Sequence, residues 1–280
     1  MAAKRPDHWT SKAYTTSAPF VPRLTSTVLS YLSPKPTDHI LDLGCGDGVL
    51  TSQLASSVPS GRVLGLDASP SMIETARSSY LAHHPNLEFR IQDCTRLVEA
   101  LASHPELDGQ WDKVFSNAAL HWIMRAPATR ESVLAAAYAA LKRGGTFVFE
   151  MGGAGNVAEV HTALIAALVA QGVPVLEARE ASPWFFPSED WMRTELEKVG
   201  FTVEKCEVEY RPTRMTDEKG GGLAGWVRLM GAEFLEKVEE ERSEEAVGFV
   251  CELLESVVTR EEDGSVWIGY VRLRAVAKKL

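Results

Sequence analysis

The sequence predicts an α/β fold: a Rossmann-like seven-stranded, mostly parallel sheet with its last strand antiparallel, helices on both faces and a small helical cap. Three observations predict it. Short apolar runs of strand length alternate with amphipathic stretches of helix length from residue 40 to residue 149, the pattern of repeated βαβ units. Ile40-Leu41-Asp42-Leu43 runs straight into Gly44-Cys45-Gly46-Asp47-Gly48, a glycine-rich turn at a strand-to-helix junction. Finally, a polar residue closes each of the first four expected strands: Asp42, Asp67, Asp93 and Asn117. In open α/β sheets, ligands bind at the carboxyl ends of the strands.

The elements follow in order. Arg23 to Tyr31 is expected to be helical, and Pro34 and Pro36 end it. The strand at Ile40–Leu43 and its glycine turn lead into a helix from Val49 to about Ser57. Arg62-Val63-Leu64-Gly65-Leu66 is the second strand, ending at Asp67, 25 residues after Asp42 and so one βαβ step on. Ser69 reads as an N-cap with Pro70 at the first helical position, and Ser71 with Glu74 offers an alternative capping box. Met72, Ile73, Ala76 and Tyr80 form the stripe of that helix. Leu87–Ile91 is the third strand, Leu97–His104 a short helix and Lys113–Ser116 the fourth strand. A helix carrying Leu134, Ala137, Tyr138 and Leu141 precedes Gly144-Gly145 and the fifth strand, Thr146–Phe149.

Beyond Met151 the pattern changes. A helix is expected over Val157–Ala170, and another capped by Ser188 and ended by Gly200. A strand follows over Phe201–Tyr210, then a glycine joint at 220–222. Next come a Glu-rich helix over 233–245 with a solvated face and a helix over Ala246–Val258, with Val247, Val250, Cys251, Leu254 and Val257 on one face. Val266–Val276 is the antiparallel closing strand. The expected organisation is an N-terminal arm or lid over 1–30, an α/β core over 31–210, a helical cap insertion over 211–262 and the closing strand over 263–280.

Composition sets bounds. The chain has 280 residues, 45% of them hydrophobic, enough for one α/β domain and a smaller appended unit. Its formal net charge of −9 argues against a sequence-independent grip on phosphates, so no nucleic-acid partner is expected. The four cysteines show no C-x-x-C pairing and no zinc spacing. They read as free buried thiols of a reducing compartment, and no metal is expected. The N-terminus lacks the apolar run of a signal peptide and no stretch reaches the length of a membrane span. A cytoplasmic protein, monomeric or weakly dimeric, without a membrane partner is the expectation.

The glycine turn discriminates between ligands. A dinucleotide fingerprint is G-x-G-x-x-G, whose third glycine lets the helix pack close beneath a pyrophosphate. Here the third glycine falls one position early, at Gly48, and Val49 holds the fingerprint's place. S-adenosylmethionine carries no phosphate, and its ammonium favours a nearby carboxylate such as Asp42 or Asp47. Asp67 suits the two ribose hydroxyls, and Asp93 is placed to accept from an adenine amino group.

This constellation resembles the class I S-adenosylmethionine-dependent methyltransferases. The resemblance implies that Asp42, Gly44 and Gly46 line the methionine end of the cofactor, with Cys45 a further cofactor-binding residue. It places Asp67 at the ribose, Asp93 and Cys94 at the adenine, and Asn117 and Ala118 towards the sulfonium, with Ala68 and Met72 as further cofactor-binding candidates. S-adenosyl-L-homocysteine would be the product.

Within that superfamily the chain resembles the trans-aconitate 2-methyltransferase family nearly end to end. The resemblance is carried by Trp9…Tyr14, Ser116-Asn117-Ala118-Ala119-Leu120-His121-Trp122, Leu141…Gly144-Gly145, Gly225-Trp226-Val227 and Asp263-Gly264…Arg272-Leu273. His121 stands where that family usually has Gln, and the segment 90–112 is longer.

The activity implied is methylation of a small-molecule carboxylate, a trans-aconitate-like acid or a related acyl group. A carboxylate is ionised at neutral pH and needs orientation rather than a general base. Candidates for that task are His121, Arg125, Arg214, Trp9 and Tyr14, with Trp122 and Trp226 among the aromatics that would line the acceptor. Two alternatives remain at this stage. One is methylation of a hydroxyl or phenol with His121 as base. The other is a cofactor-binding regulatory protein without catalysis.

Overall fold

The computed structural model describes Trp9, Thr16 and residues 25–216 and 221–280. Seven strands form one sheet in the order β3-β2-β1-β4-β5-β7-β6. They are β1 (His39–Leu43), β2 (Arg62–Asp67), β3 (Leu87–Ile91), β4 (Trp111–Asn117), β5 (Leu141–Gly152), β6 (Thr202–Arg214) and β7 (Trp267–Lys278). The first five pair in parallel, and β7 runs antiparallel to β5, with Gly152 opposite Arg272 and Glu150 opposite Arg274. The strand order reverses between β1 and β4, which opens a crevice at their carboxyl ends.

The helices follow from caps and stripes. They are α1 (Ser26–Leu32), α2 (Val49–Ser57), α3 (Pro70–Tyr80), α4 (Leu97–Ser103), α5 (Leu120–Ile123), α6 (Arg130–Ala140), α7 (Ala158–Ala170), α8 (Val175–Glu180), α9 (Glu189–Val199), α10 (Gly222–Met230), α11 (Ala232–Leu235) and α12 (Ser243–Val258). Ser69 is the cap of α3, its Oγ accepting from the Met72 N–H at 3.2 Å. Ser71 lies inside that helix, so the alternative capping box is not the one used. Ser188 caps α9 through the Trp191 N–H at 3.2 Å, and Gly200, at φ 111°, ends it.

Alternation on the strands builds two cores, one on each face of the sheet. Leu41, Leu43, Leu64, Leu66, Val114, Phe147 and Phe149 face one cluster. Ile40, Val63, Phe89, Phe115 and Val148 face the other. Each fully buried Leu or Phe contributes about 1.5–3 kcal/mol relative to exposure.

By its contacts the chain divides into two compact units. Among the described residues, one comprises 25–154, 185–209 and 272–280; the other comprises 155–184, 210–216 and 221–271, together with Trp9 and Thr16. Helices α7 and α8, expected in the core stretch 31–210, therefore group with the cap helices. The reason is packing: α7 buries Val160, Ala163, Leu164, Ala167 and Leu168, and its neighbours are α8, α11 and α12.

Two other expectations change. On α12 the buried face is Ala246, Val247, Val250, Leu254 and Val258. Val257 is 66% exposed and Cys251 half-buried, because Val250, Leu254 and Val258 continue the four-residue spacing that Val257 breaks. The Glu-rich stretch is not one helix but α11 followed by a single turn at Glu240–Arg242. Of the four cysteines only Cys94 is buried; Cys45, Cys206 and Cys251 are half-buried, and all four are free. Among the described residues no helix is long and apolar enough to cross a membrane.

Candidate cofactor and acceptor site

The glycine turn is shaped by close approach. Gly44 has φ +76°, and a Cβ there would lie 2.2 Å from the Ala119 Cβ, so only glycine fits between the turn and the segment after β4. The Gly44 and Cys45 N–H groups donate to the Leu66 carbonyl at 2.8 and 3.0 Å, tying the turn to the end of β2. Gly46, at φ +55°, has no atom within 4 Å of its Cβ position, and its N–H donates to Asp67 Oδ2 at 2.9 Å.

Asp42 ends 2% exposed. Its Oδ2 accepts from the Thr51 hydroxyl at 2.7 Å. Burial pushes the carboxyl up to about 7; the Thr51 hydrogen bond opposes this, and the neighbouring Asp67 adds to it. Asp67 accepts at both oxygens, from Gly46 N–H and, at 2.9 Å, from Ser69 N–H. Ala68 is exposed beside it, and Met72 is buried in the first turn of α3.

The end of β3 supplies a different surface. Asp93 is exposed, and its Oδ1 accepts from the Thr95 N–H at 2.9 Å and the Thr95 hydroxyl at 2.7 Å. Ile91, two residues before, is 53% exposed, an apolar surface beside the carboxylate. Cys94 turns inward, and burial foremost, then Asp67, pushes its thiol well up. The Cys45 thiol is raised in the same way, by burial and then Asp42.

Strand β4 ends at Asn117, whose Oδ1 is buried with no hydrogen-bond partner among the described residues. An orphaned buried acceptor costs about 1–3 kcal/mol until a ligand or water satisfies it. Ala118 follows in the left-handed region at φ 54°, its N–H bonded to the Glu150 carbonyl at 2.8 Å. Strain of this kind collects at functional sites.

These features fit a cationic nucleoside. A buried carboxylate held near neutrality, an unsatisfied amide oxygen and an open glycine loop each gain from a ligand that brings positive charge and donors. Asp42, Gly44, Cys45, Gly46 and Asp67 come together at the turn. Asn117 and Ala118 reach it through the Gly44–Ala119 approach, and Asp93 and Cys94 extend it along β3.

The acceptor candidates divide between the units. In the sheet unit, His121 is buried on α5, and the Gly152 N–H donates to its Nδ1 at 3.3 Å. Burial, and after it Arg272, pushes the imidazole down to about 3, so it is neutral. The hydrogen bond assigns the acceptor lone pair to Nδ1 and the proton to Nε2. The Trp122 ring lies 5.6 Å from the imidazole, as does Phe186. Arg125 is half-buried, and its carbonyl accepts from Arg130.

The other unit carries Trp9, Arg214 and Trp226. Arg214 is exposed, and its charge acts on Asp263. Trp226 is 3% exposed and donates through Nε1 to the Tyr270 hydroxyl at 2.7 Å, inside an aromatic cluster with Trp184. Trp9 is half-buried, and Tyr14 lies outside the described residues.

Three polar side chains were absent from the sequence reading of the site. Thr51 is fully buried on Asp42. Arg272 is 3% exposed, with its Nε 3.8 Å from Glu150 Oε1. Glu150 is 2% exposed and is held by Arg274 at 2.6 Å. A signal existed for Arg272: it and Arg274, charged residues two apart within the apolar run Tyr270-Val271-Arg272-Leu273-Arg274-Ala275, must point to one face of a buried strand.

Comparison with known proteins agrees with the geometry. Residues 40–145 match the model of a methyltransferase domain. The chain is 37% identical over 273 residues to an uncharacterized methyltransferase of Schizosaccharomyces pombe, covering 98% of each chain. It is 26% identical over 253 residues to a trans-aconitate 2-methyltransferase of Methylobacterium radiotolerans, covering 85% of this chain and 86% of that one. The crystal structure of a Bacillus halodurans protein superimposes with a TM-score of 0.62 at 19% identity, over 92% of this chain and 99% of that one, and shares its fold. A glycine turn closed on Asp67, an acid or Asn at four strand ends and a relative matched along its whole length lead to one assignment: the chain belongs to the class I S-adenosylmethionine-dependent methyltransferases.

Proposed function

We propose that this methyltransferase transfers the methyl group to a carboxylate oxygen of a small acid, of the kind named for its trans-aconitate relative. The observation that carries the reading is the state of His121. A base for a hydroxyl or phenol must offer an accessible lone pair. The Nδ1 lone pair is engaged by the Gly152 N–H, and Nε2 bears the proton. A neutral imidazole held this way donates a hydrogen bond. A carboxylate acceptor calls for that donation and for no proton removal. The usual Gln at this position of the resembled family is likewise a donor and not a base.

Bound S-adenosylmethionine supplies an electrophilic methyl group on sulfur. The chain's own residues hold and orient. Asp42 offers a buried carboxylate for an ammonium, braced by Thr51. Asp67 offers acceptors for vicinal hydroxyls, and Asp93 with Ile91 offers a carboxylate and an apolar face for adenine. Asn117 Oδ1 offers a lone pair near a positive centre without competing as a nucleophile. Positioning of this kind supplies most of what an in-line displacement requires.

The test is turnover of a panel of small acids with methyl-labelled S-adenosylmethionine. A carboxyl ester releases labelled methanol in mild alkali, whereas an ether does not. Alkali-labile product from at least one acid is expected. Alkali-stable product from a phenol or alcohol panel would establish the hydroxyl reading instead. Absence of product from every acceptor would favour the regulatory reading.

A further inference from the structure

His121 is held at three points within the sheet unit. The Gly152 N–H at the end of β5 donates to its Nδ1 at 3.3 Å. Its carbonyl accepts from the Phe185 N–H at 2.9 Å, and the next residue, Phe186, sets its ring 5.6 Å from the imidazole. The third hold is on the end of its helix. α5 is a single turn, Leu120–Ile123, too short to be stable by its own hydrogen bonds. One guanidinium takes the carbonyls at its end: Arg130 Nε donates to Met124 at 2.9 Å, and Nη2 donates to Arg125 at 3.1 Å.

The same guanidinium lies over the Phe185 ring, its carbon 3.4 Å from the centroid. Trp191 of α9 backs that ring edge-on at 4.8 Å. Arg130 therefore joins the end of α5 to the segment carrying Phe185 and Phe186, and the Phe185 N–H on the His121 carbonyl closes the circuit.

Local electrostatics oppose a cation at this position. Arg130 is the first residue of α6, where the helix dipole disfavours positive charge. It is half-buried, and burial alone pushes its titration down. Its contacts among the described residues are two carbonyls and a ring, with no carboxylate to offset the charge. Conflicts of this kind between a residue and its local setting collect at functional sites. The geometry explains the choice of residue: a rigid fork donates to two successive carbonyls while its flat face stacks on a ring, which a lysine does not reproduce.

We infer that Arg130 is a positioning residue for the acceptor: it clamps the end of α5 to the Phe185–Phe186 segment and so fixes where the His121 Nε2–H points. The inference rests on the reading of His121 as hydrogen-bond donor to a carboxylate. Arg130 acts through His121 and not on the acceptor itself.

The test uses the full-length enzyme and two readouts. The first is nitrogen NMR of histidine-labelled protein, with the His121 signal assigned by its loss in His121→Leu. Wild-type His121, held down to about 3, should stay neutral to about pH 5. Arg130→Met loosens α5 and admits water to the ring, so it should raise the His121 titration to about 5 or above, towards the ordinary 6.5. The second is a double-mutant cycle on kcat/KM for any acid turned over. Arg130→Met should lower it about 10-fold, mostly through KM, and change it less than about twofold once His121 is leucine. Arg130→Lys, which keeps the charge and one donor, should recover part of the loss. Should Arg130→Met fail to fold, Arg130→Lys and Phe185→Leu carry both readouts, with smaller shifts in the same direction. An unchanged His121 titration in the variants that fold, or losses that multiply in the double variant, would overturn the clamp. A raised titration in an enzyme that methylates no acid would leave the clamp standing and overturn the carboxylate reading. Acid turnover with an unmoved titration would do the reverse.

Discussion

With Asp42 at the cofactor's ammonium, as proposed, cofactor affinity depends on pH in a direction that can be worked out. Its carboxyl lies at about 7 against an ordinary 3.8, chiefly because it is buried. Between those values the folded protein holds a proton that the unfolded chain has lost. The favourable protonated state is fully present at low pH and is lost as pH rises through the folded value. The free protein therefore loses stability from about pH 4 to pH 7, by about 4 kcal/mol at most for this group. Cofactor binding runs the other way. An ammonium beside Asp42 favours the ionised form, so affinity rises with pH and levels off above about 7. The ionised fraction grows about 25-fold between about pH 5.5 and 7.5, and calorimetric Kd values for S-adenosylmethionine should fall by a comparable factor. Asp42→Asn should bind weakly with a flat profile. Thr51→Val removes the hydrogen bond that holds the carboxyl down, so it should move the inflection to higher pH; Thr51→Ser should restore it. A flat wild-type profile, or a Thr51→Val loss equal at every pH, would refute the assignment of Asp42 to the cofactor's charge.

Further outcomes follow from the same geometry. Gly44→Ala should abolish cofactor binding while the protein still folds, because a Cβ at 2.2 Å from Ala119 drives the turn away from β4; circular dichroism and calorimetry together check this. Ala118→Gly should raise the melting temperature by relieving a left-handed alanine worth about 1 kcal/mol, offset in part by glycine's own entropy. His121→Leu should lower kcat/KM for an acid about 10- to 100-fold, and His121→Gln, which keeps a donor, should recover much of it. Glu150→Gln should destabilise by about 1–3 kcal/mol in denaturant titration, since it removes the buried carboxylate that Arg274 and Arg272 share while Arg274 keeps Glu209.

The sheet was legible because its signals are local. Apolar runs of strand length, Ser69-Pro70, Ser188 and Gly200 each state their own conformation, and β1 to β4 fall within a few residues of expectation, whereas β5 begins at Leu141, in the stretch expected to be helical. The strand-end acids were legible because the fold places every such residue on one rim. What escaped depends on distant pairing. Glu150, Arg272 and Arg274 meet only through the β5–β7 register, across more than a hundred residues of chain. Thr51 reads as an ordinary helix residue until Asp42 is seen 2.7 Å away. The grouping of 155–184 with 210–271 is likewise a matter of which helix faces match, and no short-range pattern encodes that. Arg214 is a candidate by residue type, and Trp226 by residue type and the Gly225-Trp226-Val227 resemblance; the first is exposed, and the second belongs to an aromatic core.

Two sulfur atoms stand at the glycine turn proposed for the cofactor, and that cofactor is an alkylating agent. Burial, complete at Cys94 and partial at Cys45, and the carboxylates of Asp42 and Asp67 hold both as uncharged thiols, with their titration pushed far above neutrality. Only the thiolate is an effective nucleophile. The enzyme can therefore keep a reactive methyl donor against its own cysteines through many cycles without marking itself. Any substitution that placed a lysine or arginine near either sulfur would be expected to turn that tolerance into self-inactivation.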